Sequence, residues 1–128
     1  MQASLQVLSN VPIQQVEAAA SSVTILPRIY MQIVNEADRD YAKDLQTRLR
    51  DSGFLVLGIE LVVKAAETVK VSEVRYYKQV EEGTAKEILR VVQTQDASAK
   101  LTYLKLENST KVRPNHFEVW LSHKSDRS

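Results

Sequence analysis

A chain of 128 residues, 44% apolar and 26% charged, has room for one domain with its own core. Seventeen basic residues stand against 16 acidic ones, a net charge of +1, so overall charge gives no push toward nucleic acid or an anionic membrane. The absence of cysteine excludes disulfides, thiolate zinc sites and cysteine nucleophiles.

The N-terminal stretch "MQASLQVLSNVPIQQV" has neither a basic n-region nor a continuous apolar core, so it is not read as a secretory signal. No apolar run approaches the roughly 18 residues that span a bilayer, and membrane insertion is not expected. Residues 1–26 are poor in charge and read as a linker or an N-terminal docking helix. For the helix, Asn10 would be the cap and Pro12 would lie in the first turn, with Ile13, Val16, Ala20 and Val23 near one face.

The domain is expected over residues 27–122, with a disordered tail from 123 to 128. "RIYMQIV" alternates, with Ile29, Met31 and Ile33 on one side and Arg28, Tyr30 and Gln32 on the other, and predicts the first strand. "NEADRDYAKDLQTRLRDSG" predicts a helix. Asn35 caps it, Glu36, Asp38 and Asp40 match its positive end, and Gly53 supplies a left-handed stop. "FLVLGIELVV" is a second, strongly apolar strand in which Gly58 predicts a bulge. "EVRYYK" is a third strand. "VEEGTAKEILRVVQT" is a second helix, with Ala85, Ile88, Leu89 and Val92 on one stripe. "KLTYLKLE" and "HFEVWL" are late strands separated by the turn-like "NSTKVRPN".

Two amphipathic helices and a sheet predict an α+β two-layer sandwich. The economical arrangement is a ferredoxin-like βαββαβ order: an antiparallel sheet of four or five strands, both helices on one side, and the first and third strands adjacent at the centre. The other sheet face is then open. It would carry Arg28, Tyr30 and Gln32 from the first strand and Arg75 and Tyr77 from the third. If Phe117 and Val119 point inward, His116, Glu118 and Trp120 point outward as well. Aromatic rings flanked by planar donors suit a protein hot spot, a sugar ring or a base. The plain alternative is cross-strand stabilisation, with Arg75 pairing Glu118 or Glu60.

"IYMQIVNEADRDYAKDLQTRLRDSGFLVLGIELV" followed by "EVRYYKQVEEGTAKEILRVV" resembles the LytR C-terminal and SPOR-like domains of bacteria. The matching positions are Ala42, Leu45, Leu49, Gly53, Phe54, Val74, Tyr76, Tyr77, Ala85 and Leu89, within residues 28–106. The resemblance implies a small non-catalytic binding domain attached to a larger envelope or effector protein. SPOR domains that look like this one bind peptidoglycan glycan strands across the sheet face. The chain departs from them in lacking a signal sequence and in ending with "RPNHFEVWL".

Nothing in the chain argues for catalysis. The histidines His116 and His123 have no second histidine or cysteine at metal-ligand spacing, and no nucleophile elbow is present. The three glycines form neither GxGxxG nor a P-loop, so no nucleotide or other cofactor is expected. The reading is an interaction module that meets a protein partner, or a domain of its own parent chain, through the open face or a strand edge. Homo-oligomerisation fits a half-open sheet. A glycan ligand is the alternative. RNA ranks last, because "EVRYYKQV" lacks the RNP pattern.

Overall fold

The computed structural model describes residues 26–105 and 112–126. The expected linker or docking helix over residues 1–26 lies outside these, apart from an exposed Leu26. Five strands and two α-helices follow in the order β1 (Arg28–Ile33), α1 (Arg39–Asp51), β2 (Leu55–Leu61), β3 (Glu73–Tyr76), α2 (Glu82–Gln93), β4 (Lys100–Tyr103) and β5 (His116–Leu121). This is an α+β sandwich with one mixed sheet, and its order is β2-β1-β5-β3-β4.

The ferredoxin-like, all-antiparallel order is not the one found. β1 pairs in parallel with both β2 and β5, β3 pairs in parallel with β4, and only β3 with β5 is antiparallel. β1 and β3 are therefore not neighbours, because β5 lies between them. The sheet consists of two unsplit βαβ units running in opposite directions on either side of the last strand. Each steps outward from the centre, so a right-handed crossover in each sets both helices on one face. β5 suits the middle: Phe117, Val119 and Leu121 are fully buried under the helices.

The two units repeat each other closely. Each enters its helix through a 3-10 turn, Glu36–Asp38 and Gln79–Glu81. The core positions Ala42, Leu45 and Leu49 of α1 correspond in spacing to Ala85, Ile88 and Val92 of α2, and all six are solvent-inaccessible. Alanine early in each helix lets the backbone approach the sheet, and the larger side chains then fill the space against Ile29, Met31, Ile33 and Val74. Each fully buried aliphatic side chain contributes roughly 1.5–3 kcal/mol. Across the helix pair, the Tyr41 hydroxyl donates to the Gln95 carbonyl at 2.9 Å, and the Gln95 amide donates back to the Tyr41 carbonyl at 3.2 Å.

Both predicted backbone irregularities are present. Gly53 has φ +99°, and Phe54 N–H closes onto the Leu49 carbonyl at 3.2 Å, which ends α1. The β1–β2 register jumps from Val56 to Ile59 across Gly58, a bulge. The disordered tail expected from residue 123 is corrected in its described part. His123 and Lys124 are hydrogen-bonded to the buried Asp38, and Lys124–Asp126 forms a 3-10 turn.

Candidate functional site: the uncovered sheet face

Alternation along the central strands decides which side chains reach the face away from the helices. Ile29, Met31 and Ile33 on β1, Val74 and Tyr76 on β3, and Phe117, Val119 and Leu121 on β5 all enter the core. Arg28, Tyr30 and Gln32, then Glu73 and Arg75, then His116, Glu118 and Trp120, therefore share the opposite face. The register places them in rows. Arg28 is opposite His116, Tyr30 and Arg75 flank Glu118, and Gln32 and Glu73 flank Trp120. Tyr77 follows just past the end of β3.

These side chains bond to one another. Glu118 is the hub. It accepts from Trp120 Nε1 at 2.9 Å, lies 3.0 Å from His116 Nε2, and interacts with the Tyr77 hydroxyl. The His116 ring stacks on Tyr30, with centroids 4.6 Å apart, and meets Tyr77 at 5.5 Å. The Arg75 guanidinium lies 4.5 Å over the Trp120 ring, and its Nε donates to Glu73 Oε1 at 3.1 Å. Thr102 on β4 donates to the same Glu73 oxygen at 3.0 Å. Arg75 thus pairs with Glu73 on its own strand rather than with Glu118 or Glu60, because stacking on Trp120 turns its Nε toward Glu73.

The network sets the titration of its members. Partial burial alone would raise the Glu118 pKa, but the hydrogen bonds from His116, Trp120 and Tyr77 together outweigh it and hold this carboxyl below its ordinary range. Burial and the neighbouring Glu118 charge push the Tyr77 hydroxyl far above the usual tyrosine value. The chemistry is that of a pre-ordered polar–aromatic surface: a half-buried carboxylate stays charged beneath a set of rings.

Two expected members stand apart. Arg28 reaches the turn before β5, where its Nη2 donates to the Pro114 carbonyl at 3.2 Å, and its Nε is buried without a partner. Gln32 is 8% exposed and its Oε1 is also buried without a partner. His116 and Glu118 were expected to point outward with Trp120 but were not counted among the binding residues, and the structure makes them the centre of the network. The signal was their parity with Trp120 on "HFEVWL", which puts all three on one side.

Other features are less organised. On the helical side, Arg48, Asp51, Ser52, Arg90, Val91 and Thr94 line an open groove of about 410 Å³, with charges of both signs and hydroxyls already bonded to their own helices. Among the described residues no group of three or more acidic or histidine side chains is placed to hold a metal ion, and no helix is long and apolar enough to cross a membrane. The outer strand β2 is covered from the helix side. Its Val56, Leu57 and Ile59 carbonyls accept from Arg50, Gln46 and Arg39 at 3.1, 3.1 and 3.3 Å.

No family model, curated protein or solved structure matches this chain.

Proposed function

We propose that this protein is a non-catalytic interaction module that recognises a partner protein across the sheet face the helices leave uncovered. The observation that carries the reading is the Tyr30–His116–Glu118–Trp120–Arg75 network. Three adjacent strands present rings and planar hydrogen-bonding groups already fixed in position, so little side-chain entropy is lost on contact. Tyrosine, tryptophan and arginine are the residue types that dominate protein hot spots. The face is favoured over addition of a strand to β2, because three carbonyls of β2 already accept hydrogen bonds from α1. A glycan or an RNA base needs bare flat rings. One face of Trp120 is taken by Arg75 and one face of Tyr30 by His116, which supports protein over both.

Selection of random displayed peptides against the protein tests this. Peptides recovered on the wild type should lose binding to the variant R75A/Y77A while its far-ultraviolet dichroism stays native. Recovery of no binders, or of binders indifferent to that double substitution, would sink the reading.

A further inference from the structure

The two outer edges of the sheet are not guarded alike. β2 forms one and β4 the other. The two βαβ units correspond in register: Val74 pairs with Leu101 as Ile29 pairs with Val56, and Tyr76 pairs with Tyr103 as Met31 pairs with Ile59. On β2 the Val56, Leu57 and Ile59 carbonyls accept from Arg50, Gln46 and Arg39 of α1. With Ala42 of α1 set on Ala85 of α2, these guards fall on Gln93, Leu89 and Glu82. Gln93 donates to the Ala99 carbonyl at 3.1 Å, before β4 begins. Leu89 has no polar group to offer, and the Glu82 carboxylate only accepts and pairs with Lys86 at 3.2 Å.

The ladder shows which groups this leaves bare. Lys100 N–H donates to the Ser72 carbonyl at 3.0 Å and Leu104 N–H to the Tyr76 carbonyl at 2.9 Å, so these alternate positions bond inward to β3. The backbone N–H and C=O groups of Leu101 and Tyr103 therefore point away from the sheet, and among the described residues no hydrogen bond closes on them. Their side chains lie on the helix side in register with Val74 and Tyr76, and Tyr103 is 37% exposed.

We infer that this edge pairs with the same edge of a second copy of the chain, β4 against β4, antiparallel about an axis at Thr102. In that register Leu101 of each copy stands opposite Tyr103 of the other, and each such pair exchanges both N–H···O bonds, so every outward group of the two residues is satisfied. Leu101 meets Tyr103 on the helix side, and Thr102 meets Thr102 on the uncovered side. Lys100 faces Leu104 and Lys105 faces Ala99, so no cation opposes a cation. A slip of one residue would set Lys100 against Lys105 and cross the two faces, which fixes the register. One strand of 4 residues from each copy is less than a permanent dimer needs, so the association is reversible. It does not depend on what the uncovered face binds, and it sets two such faces side by side in one continuous sheet.

Sedimentation velocity of the full chain from about 10 μM to about 1 mM, with amide hydrogen exchange read by NMR over the same range, tests this. Association is expected to rise with concentration, and exchange to slow at Leu101 and Tyr103 but not at Ile59 and Leu61 of β2. Glu82→Arg/Leu89→Gln, which rebuilds on α2 the guards of α1, should abolish association while far-ultraviolet dichroism stays native. Thr102→Lys puts a cation beside Glu73 within its own chain but opposite an identical cation across the axis. It should weaken association by about fivefold, with recovery at high salt, and it decides the matter if the double variant fails to fold. The inference is overturned if the wild type stays monomeric at the highest concentration, if Thr102→Lys associates as the wild type does, or if exchange slows at Ile59 and Leu61 instead of Leu101 and Tyr103.

Discussion

Asp38 and Glu81 hold opposite ends of the same strand. Each is the N-cap residue of its helix, at equivalent places in the two βαβ units. Glu81 accepts the Asn115 N–H at 2.7 Å, just before β5. Asp38 accepts the Lys124 N–H at 3.2 Å and lies 2.9 Å from His123 Nδ1, just after it. Neither carboxylate makes a side-chain cap bond to its own helix. Asp38, read from the sequence as matching the positive helix end, thus also clamps the central strand, as Glu81 does at its other end.

Removing either clamp leaves a backbone N–H without its acceptor. Asp38→Ala is expected to destabilise by about 2–3 kcal/mol, because its side chain is fully buried, and Glu81→Ala by about 1–2 kcal/mol. The double variant should lose close to the sum, since a strand of this length separates the sites and distant sites add. Urea unfolding of the three variants measures this. A loss for the pair well below the sum would mean that the two ends of β5 act as one unit.

Acid should weaken the fold through Glu118. Its pKa is lower in the folded chain than in the unfolded one, so the unfolded state binds more protons as pH falls below the ordinary carboxyl value near 4.3. The stabilisation is full above that pH and is lost as pH drops through the folded value. Melting of the wild type and Glu118→Gln from pH 7 to pH 3 should show a steeper fall for the wild type. Parallel curves would mean that the hydrogen bonds from His116, Trp120 and Tyr77 do not outweigh burial.

Alkali acts in the opposite sense at Tyr77. Burial and the Glu118 charge raise its pKa, so the folded chain keeps this proton at pH values where an unfolded tyrosine, near 10, releases it. Stability contributed by Tyr77 is complete below that pH and declines above it. In Tyr77→Phe the decline between pH 10 and pH 12 should be shallower, as read by denaturant midpoints. An unchanged slope would place Tyr77 in a solvated setting instead.

The covering of β2 predicts an assembly phenotype. With Arg39, Gln46 and Arg50 all changed to alanine, the Val56, Leu57 and Ile59 carbonyls are freed beside the exposed Leu55, Leu61 and Val63. Such an edge invites pairing with a second chain. Sedimentation velocity should show more association for the triple variant than for the wild type at equal concentration. Equal association would show that these side chains do not guard the edge.

The period-two runs of "RIYMQIV" and "HFEVWL" and the helical stripes through Leu45, Leu49, Ile88 and Val92 settled the layers. An alternating strand commits every second side chain to one face whatever its neighbours are. For that reason the membership of the open face, from Arg28 to Trp120, was legible from the chain alone, as were the Gly53 stop and the Gly58 bulge, which follow from local backbone freedom. Lateral order and direction were not legible. Alternation says which face a residue takes but not which strand lies beside it, and the cost of closing a loop grows too slowly with length to choose. Only the packed structure placed β5 between β1 and β3, and that placement brought Tyr30 onto His116, Arg75 onto Trp120 and Tyr77 to Glu118. These contacts join residues far apart in sequence, and strand register alone brings them together.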